Sequence, residues 1–527
     1  MTTISKKTLV RNGDEAPPET VREAKAAVMV HVQALIAFAL AQASEGGTFA
    51  AFETALVTHV AGLGRAVIEL FLVAGEERVR RELGSSVERA GRRFRRAPAQ
   101  TRNLMTWFGI VQYARTYLRE IVSTGPARGY HPLDAELGLL ADRISPNVLS
   151  VVTRLSTRVP FGEAHETAGW FLPAVPSTEV IEAAVLGYGS KTPTWFEQAP
   201  APKGDGEVLV CQIDSKGVPT ATEEELRLRR GKRSRRKKAP SPRHRGRLAR
   251  GRRTKKPRRN KGDKAKNAKM GTMVVMYTLR RSGALLLGPI NKRYYASFAS
   301  KRHAVNFARR EATKRGFPPG TGLVVQILTD GDNDLARYIG EAFPGAIHTI
   351  DVMHIVEKLW DAAASVHREG SDAARSWVEK QKEALYAGRA VEIVAELDHQ
   401  LATIARTGPG NKYRREKLTD TRNYVAKRVQ NMTYKSLRGR DLELGTGAVE
   451  GAIKNLMGGR MDNGGMRWIK ERAEALLQLR CIDANGQWDA FVDGVHAEMR
   501  HSAMTTGARP RLQRRVASPL PITEEAA

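Results

Sequence analysis

The sequence predicts an α/β protein: a catalytic domain on a mixed sheet, interrupted by an all-helical insertion and preceded by a largely helical N-terminal region. Three observations carry this. The runs EVLVCQID (207–214) and GLVVQILTD (322–330) are short, aliphatic and β-branched, bounded by Gly and polar residues, as buried central strands are. Helical spacing then fills 371–387, 390–406 and 411–430. The first hundred residues are also helical in spacing, as at Phe52, Leu56, His59, Val60 and Leu63.

Residues 1–104 form the N-terminal region. The opening MTTISKKTLVRNGDE has no apolar signal segment, and AAVMVHVQALIAFALAQA (26–43) is short for a membrane span and interrupted by His31 and Gln33. A buried helix and no membrane are expected. The region closes on the basic run RRELGSSVERAGRRFRRA (80–97), an expected contact for DNA or a partner. Residues 105–200 hold an alternating strand, TWFGIVQYARTYL, a Pro-Leu-Asp step at 132–134, and two helical segments, FGEAHETAGWFL and STEVIEAAVLGY, the second capped by Ser177. The pair reads either as a helix-turn-helix or as a plain hairpin in a core. Its second helix carries Glu179 and Glu182 but no Arg or Lys.

Residues 201–495 form the catalytic domain. Its further strands are TMVVMYTLRR (272–281) and AIHTID (346–351), with a helix, DVMHIVEKLWDAAASVH, leaving the latter. The helical insertion occupies about 365–440 and carries Arg414, Arg415, Lys417, Arg422, Lys427 and Arg428. Residues 496–527 read as a disordered tail. Cys211 and Cys481 are the only cysteines, so neither a disulfide framework nor a cysteine zinc site is expected, and a reducing cytoplasm is implied.

The chemistry lies in three acids. Asp214 and Asp330 end the two apolar runs, and Gly331 lets the backbone turn sharply after Asp330. In ELGTGAVEGAIKNLMGGR, Gly445, Thr446 and Gly447 form a flexible lead-in to a helix whose small residues let Glu450 approach the sheet. Converging carboxylates repel unless a cation joins them, so Mg²⁺ or Mn²⁺ is expected on Asp214, Asp330 and Glu450. Two such ions suit in-line displacement at a phosphodiester, which is nuclease or strand-transfer chemistry. Asp351 and His354 share a helical face at the next strand end, where a supporting role and a purely structural one are both open. Arg460, Arg467 and Trp468 flank a Gly464-Gly465 turn and are candidate DNA contacts.

Charge is concentrated. From Leu226 to Lys269 there are 23 Lys or Arg and one acid, +22 of the chain's +30, with few apolar residues. Such a segment cannot fold alone. Arg235, Arg236, Lys237, Lys238, Arg252 and Arg253 within it are expected to track phosphates without reading bases, since no aromatics are interleaved.

The blocks LTDGDND, IDVMHIVEKLW, LGTGAVEGAIKNLMGGRMDNGGMRW (444–468) and LLQLRCIDANGQWDAF (476–491) resemble the ISKra-type insertion-sequence transposases of bacteria, over about residues 105–495. The resemblance implies an RNase H-like DDE domain whose acids fall on Asp214, Asp330 and Glu450, with Asp351 and His354 matching the family's Asp-x-x-His element. It also implies hydrolysis at element ends, attack of the released 3′-hydroxyl on target DNA, a homo-oligomer on DNA, and a nucleoid-associated cytoplasmic location. Two departures stand out: YLREIVSTGPARGYHPLD has no cysteine knuckle, and Ser215 and Lys216 follow Asp214 where a glycine is more usual. The alternative is a transposase-derived DNA-binding protein without catalysis. An RNA- or chromosome-compacting protein would leave the acids unexplained.

Overall fold

The computed structural model describes residues 17–84, 86–122, 128–139, 141–227, 268–462, 466–507 and 511–512. Most of the basic insertion, with Arg235, Arg236, Lys237, Lys238, Arg252 and Arg253, lies outside them, as do the Gly464-Gly465 turn and residues 513–527. The chain is a mixed α/β protein with two compact units, residues 1–195 with 486–520 and residues 196–485 with 521–527.

The first unit opens with two long helices, α1 (Val21–Glu45) and α2 (Phe49–Glu82). Thr20 starts α1 through a capping box with Glu23, and Thr48 caps α2. Both are long and apolar enough to cross a bilayer. The expectation of a buried helix at 26–43 is corrected: α1 buries only Ala24, because α2 covers one side of it and the rest is open.

The helical assignment of residues 86–104 is corrected as well. They form β1 (Ser86–Arg89) and β2 (Arg92–Thr106), followed by β3 (Gly109–Glu120) and β4 (Gly129–Tyr130) in one antiparallel sheet, order β1-β2-β3-β4. Ala90 and Gly91, both at positive φ, make the two-residue turn that joins β1 to β2. Pro98 sits where the β2–β3 register shifts, a position that needs no ladder donor.

Helices α3 (Pro132–Glu136), α4 (Pro146–Arg158), α5 (Phe161–Ala168) and α6 (Thr178–Gly189) follow. From Ala183 to Gly189 every residue of α6 is buried, and residues 169–177 separate it from α5. A recognition helix needs an open face and a short turn. The pair is therefore the core hairpin, not a helix-turn-helix. Residues 496–506, expected in the tail, belong to the helix Trp488–Thr506.

The second unit is built on five strands: β5 (Val208–Pro219), β6 (Ala268–Ser282), β7 (Leu285–Ser297), β8 (Val324–Thr329) and β9 (Ile347–Ile350). Their order is β7-β6-β5-β8-β9, antiparallel from β7 to β5 and parallel from β5 to β9. Val208 to Ile213, the core of β5, is buried throughout, as a strand covered on both faces must be. The insertion contains the helices Asp372–Tyr386, Ala390–Thr403 and Asn411–Ala426.

Candidate functional site

β8 and β9 end level with one another at Thr329 and Ile350, whereas β5, expected to end at Asp214, runs on to Pro219 along β6, so Asp214 lies within the strand. β5 and β8 pair from Val208↔Val324 to Gln212↔Leu328, and β8 and β9 from Gln326↔Ile347 to Thr329↔Ile350. Continued past the last pairs, these registers set Asp214 beside Asp330 and Asp330 beside Asp351. Side chains in register on adjacent strands share a face, so the acids form a row level with the carboxyl ends of β8 and β9.

Glu450 is brought to that face by two buried amides. Gln212 and Gln326 precede Asp214 and Asp330 at alternate positions, point the same way, and are 1% and 0% exposed. A buried amide must be hydrogen-bonded, and both bond to the segment 443–449. Gln326 donates to the Glu443 carbonyl at 2.7 Å and accepts the Glu443 N–H at 3.1 Å. Gln212 donates to the Gly445 carbonyl at 3.3 Å and accepts the Val449 N–H at 3.0 Å. The helix Gly447–Ala452 therefore begins over the acid row, with Glu450 exposed in its first turn. These glutamines are absent from the expected site, although a polar amide inside an apolar strand run is a legible signal.

Asp351 is buried and fully hydrogen-bonded. It is 1% exposed; one carboxylate oxygen accepts the Met353 N–H at 2.7 Å, and the other accepts His354 Nδ1 at 3.2 Å, the Thr446 N–H at 3.2 Å and the Thr446 hydroxyl. Thr446 Oγ1 also lies 2.9 Å from Glu450 Oε1. One hydroxyl hydrogen cannot serve two carboxylates at once, so Glu450 keeps acceptor capacity for a further cation or donor.

Electrostatics mark the same convergence. Burial pushes Asp214 up to about 6, the charges of Asp330 and Glu450 add to it, and the Ser215 N–H and the His354 charge oppose it. The hydrogen bond to Asp351 raises His354 to about 9, with burial opposing and the Asp351 and Asp330 charges reinforcing. Asp351 itself is held at about 2: burial works against ionisation, but the bonds from His354, Thr446 and Met353 prevail. Ligand atoms of Asp351, His354 and Glu450 come within 4.8 Å of one another. Among the described residues this is the group whose ligand atoms converge so closely; Asp214 and Asp330 are not members of it, although the charges of Asp330 and Glu450 both bear on Asp214.

The insertion clamps the turn that carries Asp330. Gly331 has φ +89°, and a Cβ there would lie 2.7 Å from both Tyr424 Oη and Arg428 Nε. Tyr424 donates to the Asp330 carbonyl, and Arg428 donates from Nε to the Gly331 carbonyl at 2.8 Å while lying 4.1 Å above the Tyr424 ring. Asp332 is occupied differently: it caps the helix Asn333–Ala342 through the Asp334 and Leu335 N–H groups, both at 3.0 Å, and pairs with Lys301.

Two expected DNA contacts are corrected. Arg460 is 2% and Trp468 8% exposed, with the guanidinium 4.9 Å from the indole ring. Trp468 donates to the Met461 carbonyl at 3.1 Å, and its backbone pairs with Pro219 and Ala221 beyond the end of β5. Both close the core there and leave no surface for a nucleobase. Arg467 beside them is half-buried. The cations that do line a groove with Asp214 and Glu450 are Lys216 and Lys454, the former 3.3 Å from Asp462.

A pH test follows from the His354–Asp351 pair. Because the folded protein raises His354 from its ordinary 6.5 to about 9, the pair's stabilisation is full below about pH 6.5 and is lost as pH rises through 9. In EDTA, the wild-type melting temperature is expected to fall across that window more steeply than that of His354→Asn. Parallel curves would remove the pair from the stability of the site.

No protein-family model matches this chain, and no curated protein matches it.

Proposed function

We propose that the chain is a DNA transposase of a bacterial insertion sequence, with an RNase H-like DDE domain in residues 201–495 that cleaves element ends and joins them to target DNA. The observation that carries this reading is the acid row: Asp214 within β5, in register with Asp330 just past the end of β8, with Glu450 delivered over them by the Gln212 and Gln326 bonds. The strand order, three antiparallel strands followed by two parallel ones, supports it.

Asp214, Asp330 and Glu450 would hold Mg²⁺ or Mn²⁺, which when bound supplies charge stabilisation at the attacking and leaving oxygens of a phosphodiester. The chain's own residues do the rest. Lys216 and Lys454 in the groove attract the DNA phosphates, the His354 imidazolium offsets part of the carboxylate charge, and Tyr424 with Arg428 keeps the Asp330 turn from relaxing. The partners are element ends and target DNA, bound by a homo-oligomer at the nucleoid. The direct test is incubation of the full chain with DNA from the flanks of its coding region. Nicking at the element ends that needs Mg²⁺ and stops in EDTA supports the reading; specific binding without cleavage in Mg²⁺ or Mn²⁺ favours a transposase-derived DNA-binding protein.

The basic insertion serves this function as a phosphate-tracking arm. Deleting residues 227–261 is expected to weaken binding to all DNA sequences alike and to flatten the salt dependence, each lost phosphate contact removing about 0.9 from the slope of log K against log salt. Titrations at several salt concentrations check it: equal slopes with and without the segment rule the arm out.

A further inference from the structure

A cavity of about 620 Å³ is walled by β2, β3, α3 and the helix Trp488–Thr506, wholly within the first unit. Its volume lies in the range of small-molecule sites, about 300–1,000 Å³. The lining is basic: it includes Arg102 from β2, Arg115 from β3, and Arg143 and Arg511, and among the described residues Asp134 is its one carboxylate. The side chains of Arg102 and Arg115 are mostly buried, whereas Arg143 and Arg511 are exposed. Asp134 serves both buried arginines, and Asp142, just outside the lining, lies 3.8 Å from Arg511. The other acids nearby do not cancel the rest. Glu136 is matched by Arg78, and Glu69, which accepts the Gln112 N–H at 3.4 Å, stands one helical turn from Arg65. Glu76 feels the Asp134 charge, and burial raises its carboxyl toward the neutral form. Four guanidiniums against Asp134 and Asp142 leave two positive charges, of which Glu76 offsets at most one.

Two polar groups in the same wall point to what restores the balance. Arg115 Nε and the Tyr130 hydroxyl are buried and have no hydrogen-bond partner among the described residues, although both residues line the cavity. Buried polar atoms are nearly always hydrogen-bonded, so an acceptor beside them would complete both. We propose that this cavity binds a phosphate monoester carried by a nucleotide, either a free 5′-mononucleotide or the 5′-terminus of a DNA strand. A phosphate monoester carries about −1.5 to −2 at neutral pH, which answers the excess of positive charge, whereas a carboxylate or a backbone diester answers about half of it. Guanidinium forks hold phosphate oxygens in pairs, and the exposed Arg143 stands ready to receive one. The cavity is larger than a phosphate group, and Thr101, Asn103 and Gln112 line it with hydrogen-bonding groups for a sugar and base. This inference is independent of the acid row and of the chemistry proposed for it.

Calorimetric titration of the full chain tests it, in EDTA so that no cation at the acid row holds phosphate. Deoxyadenosine 5′-monophosphate is expected to bind at one site per chain and to raise the melting temperature, whereas deoxyadenosine does neither and the 3′,5′-cyclic diester binds about tenfold more weakly. Arg143→Ala, at an exposed position, is expected to weaken the monophosphate about tenfold while the melting temperature without ligand stays unchanged. Arg143→Lys keeps the charge but loses the fork, and should fall between. A 5′-phosphorylated oligonucleotide that binds about tenfold tighter than its 5′-hydroxyl form, with that gain lost in Arg143→Ala, identifies a DNA end as the source of the phosphate. Equal binding of the two oligonucleotides, beside binding of the monophosphate, identifies a free nucleotide. No gain from the 5′-phosphate in either ligand, a gain that survives Arg143→Ala, or equal binding of the cyclic diester overturns the proposal.

Discussion

Changing Asp330 to Asn is expected to cut Mg²⁺-dependent cleavage of element-end DNA by about a hundredfold or more, while DNA binding holds or tightens. Asp214→Asn and Glu450→Gln should behave alike, because each keeps the shape of the side chain and removes one negative charge from the cation's shell. Binding does not fall with cleavage, since a lost carboxylate beside a phosphate removes repulsion. Nor should the fold fail. Burial disfavours the ionised form of Asp214, so its neutral isostere relieves a cost, and the amide oxygen introduced by Glu450→Gln can still accept from Thr446 Oγ1. Asp332→Asn is the matched control: Asn caps a helix about as well as Asp, so this change loses only the contact to Lys301. Full cleavage by Asp330→Asn, or its loss in Asp332→Asn alone, would place the second acid elsewhere.

Much of the second unit was legible because its strands are buried and short. The expected runs at 272–281, 322–330 and 346–351 fall on β6, β8 and β9, the run at 207–214 covers the first part of β5, which continues to Pro219, and the three helical patterns of the insertion fall on its helices. Apolar continuity reports burial, and burial reports the sheet. The devices that assemble the site were not legible, because each depends on contacts distant in sequence. Gln212 and Gln326 reach a segment more than a hundred residues away, Thr446 bridges two acids, and Tyr424 and Arg428 look like part of a solvated basic run until they are found on the Asp330 turn. The same limit explains Arg460 and Trp468. A cation and an aromatic near a catalytic acid read equally well as a nucleobase contact or as a buried stacked pair, and only the partner across the end of β5 decides between them.

The first unit was read less well, and its Pro-Leu-Asp step shows why and yields the largest expected effect on stability. In sequence, residues 132–134 are a bare Pro-Leu-Asp step with no assigned task. In the fold each has a mechanical task. Pro132 opens α3, where a missing N–H costs nothing, and Leu133 packs on α2 at Gly75, where a Cβ would come within 2.9 Å of it. Asp134 enters the sheet core and collects three partners: Arg102 Nη1 at 2.7 Å, Arg115 Nη1 and the Tyr113 hydroxyl. The carboxylate side chain is 8% exposed and those of Arg102 and Arg115 4% and 14%, so the two guanidiniums depend on it for compensation. Asp134→Asn leaves two buried cations facing a neutral amide and is expected to destabilise the protein by about 3–5 kcal/mol, the cost of breaking a buried ion pair from one side. Tyr113→Phe removes one bond to a charged acceptor and should cost less, about 1.5–3 kcal/mol. Urea denaturation followed by tryptophan fluorescence orders the two. An Asp134→Asn midpoint at or above the wild-type value would mean that the arginines find other partners and that the step is not what joins α3 to the sheet.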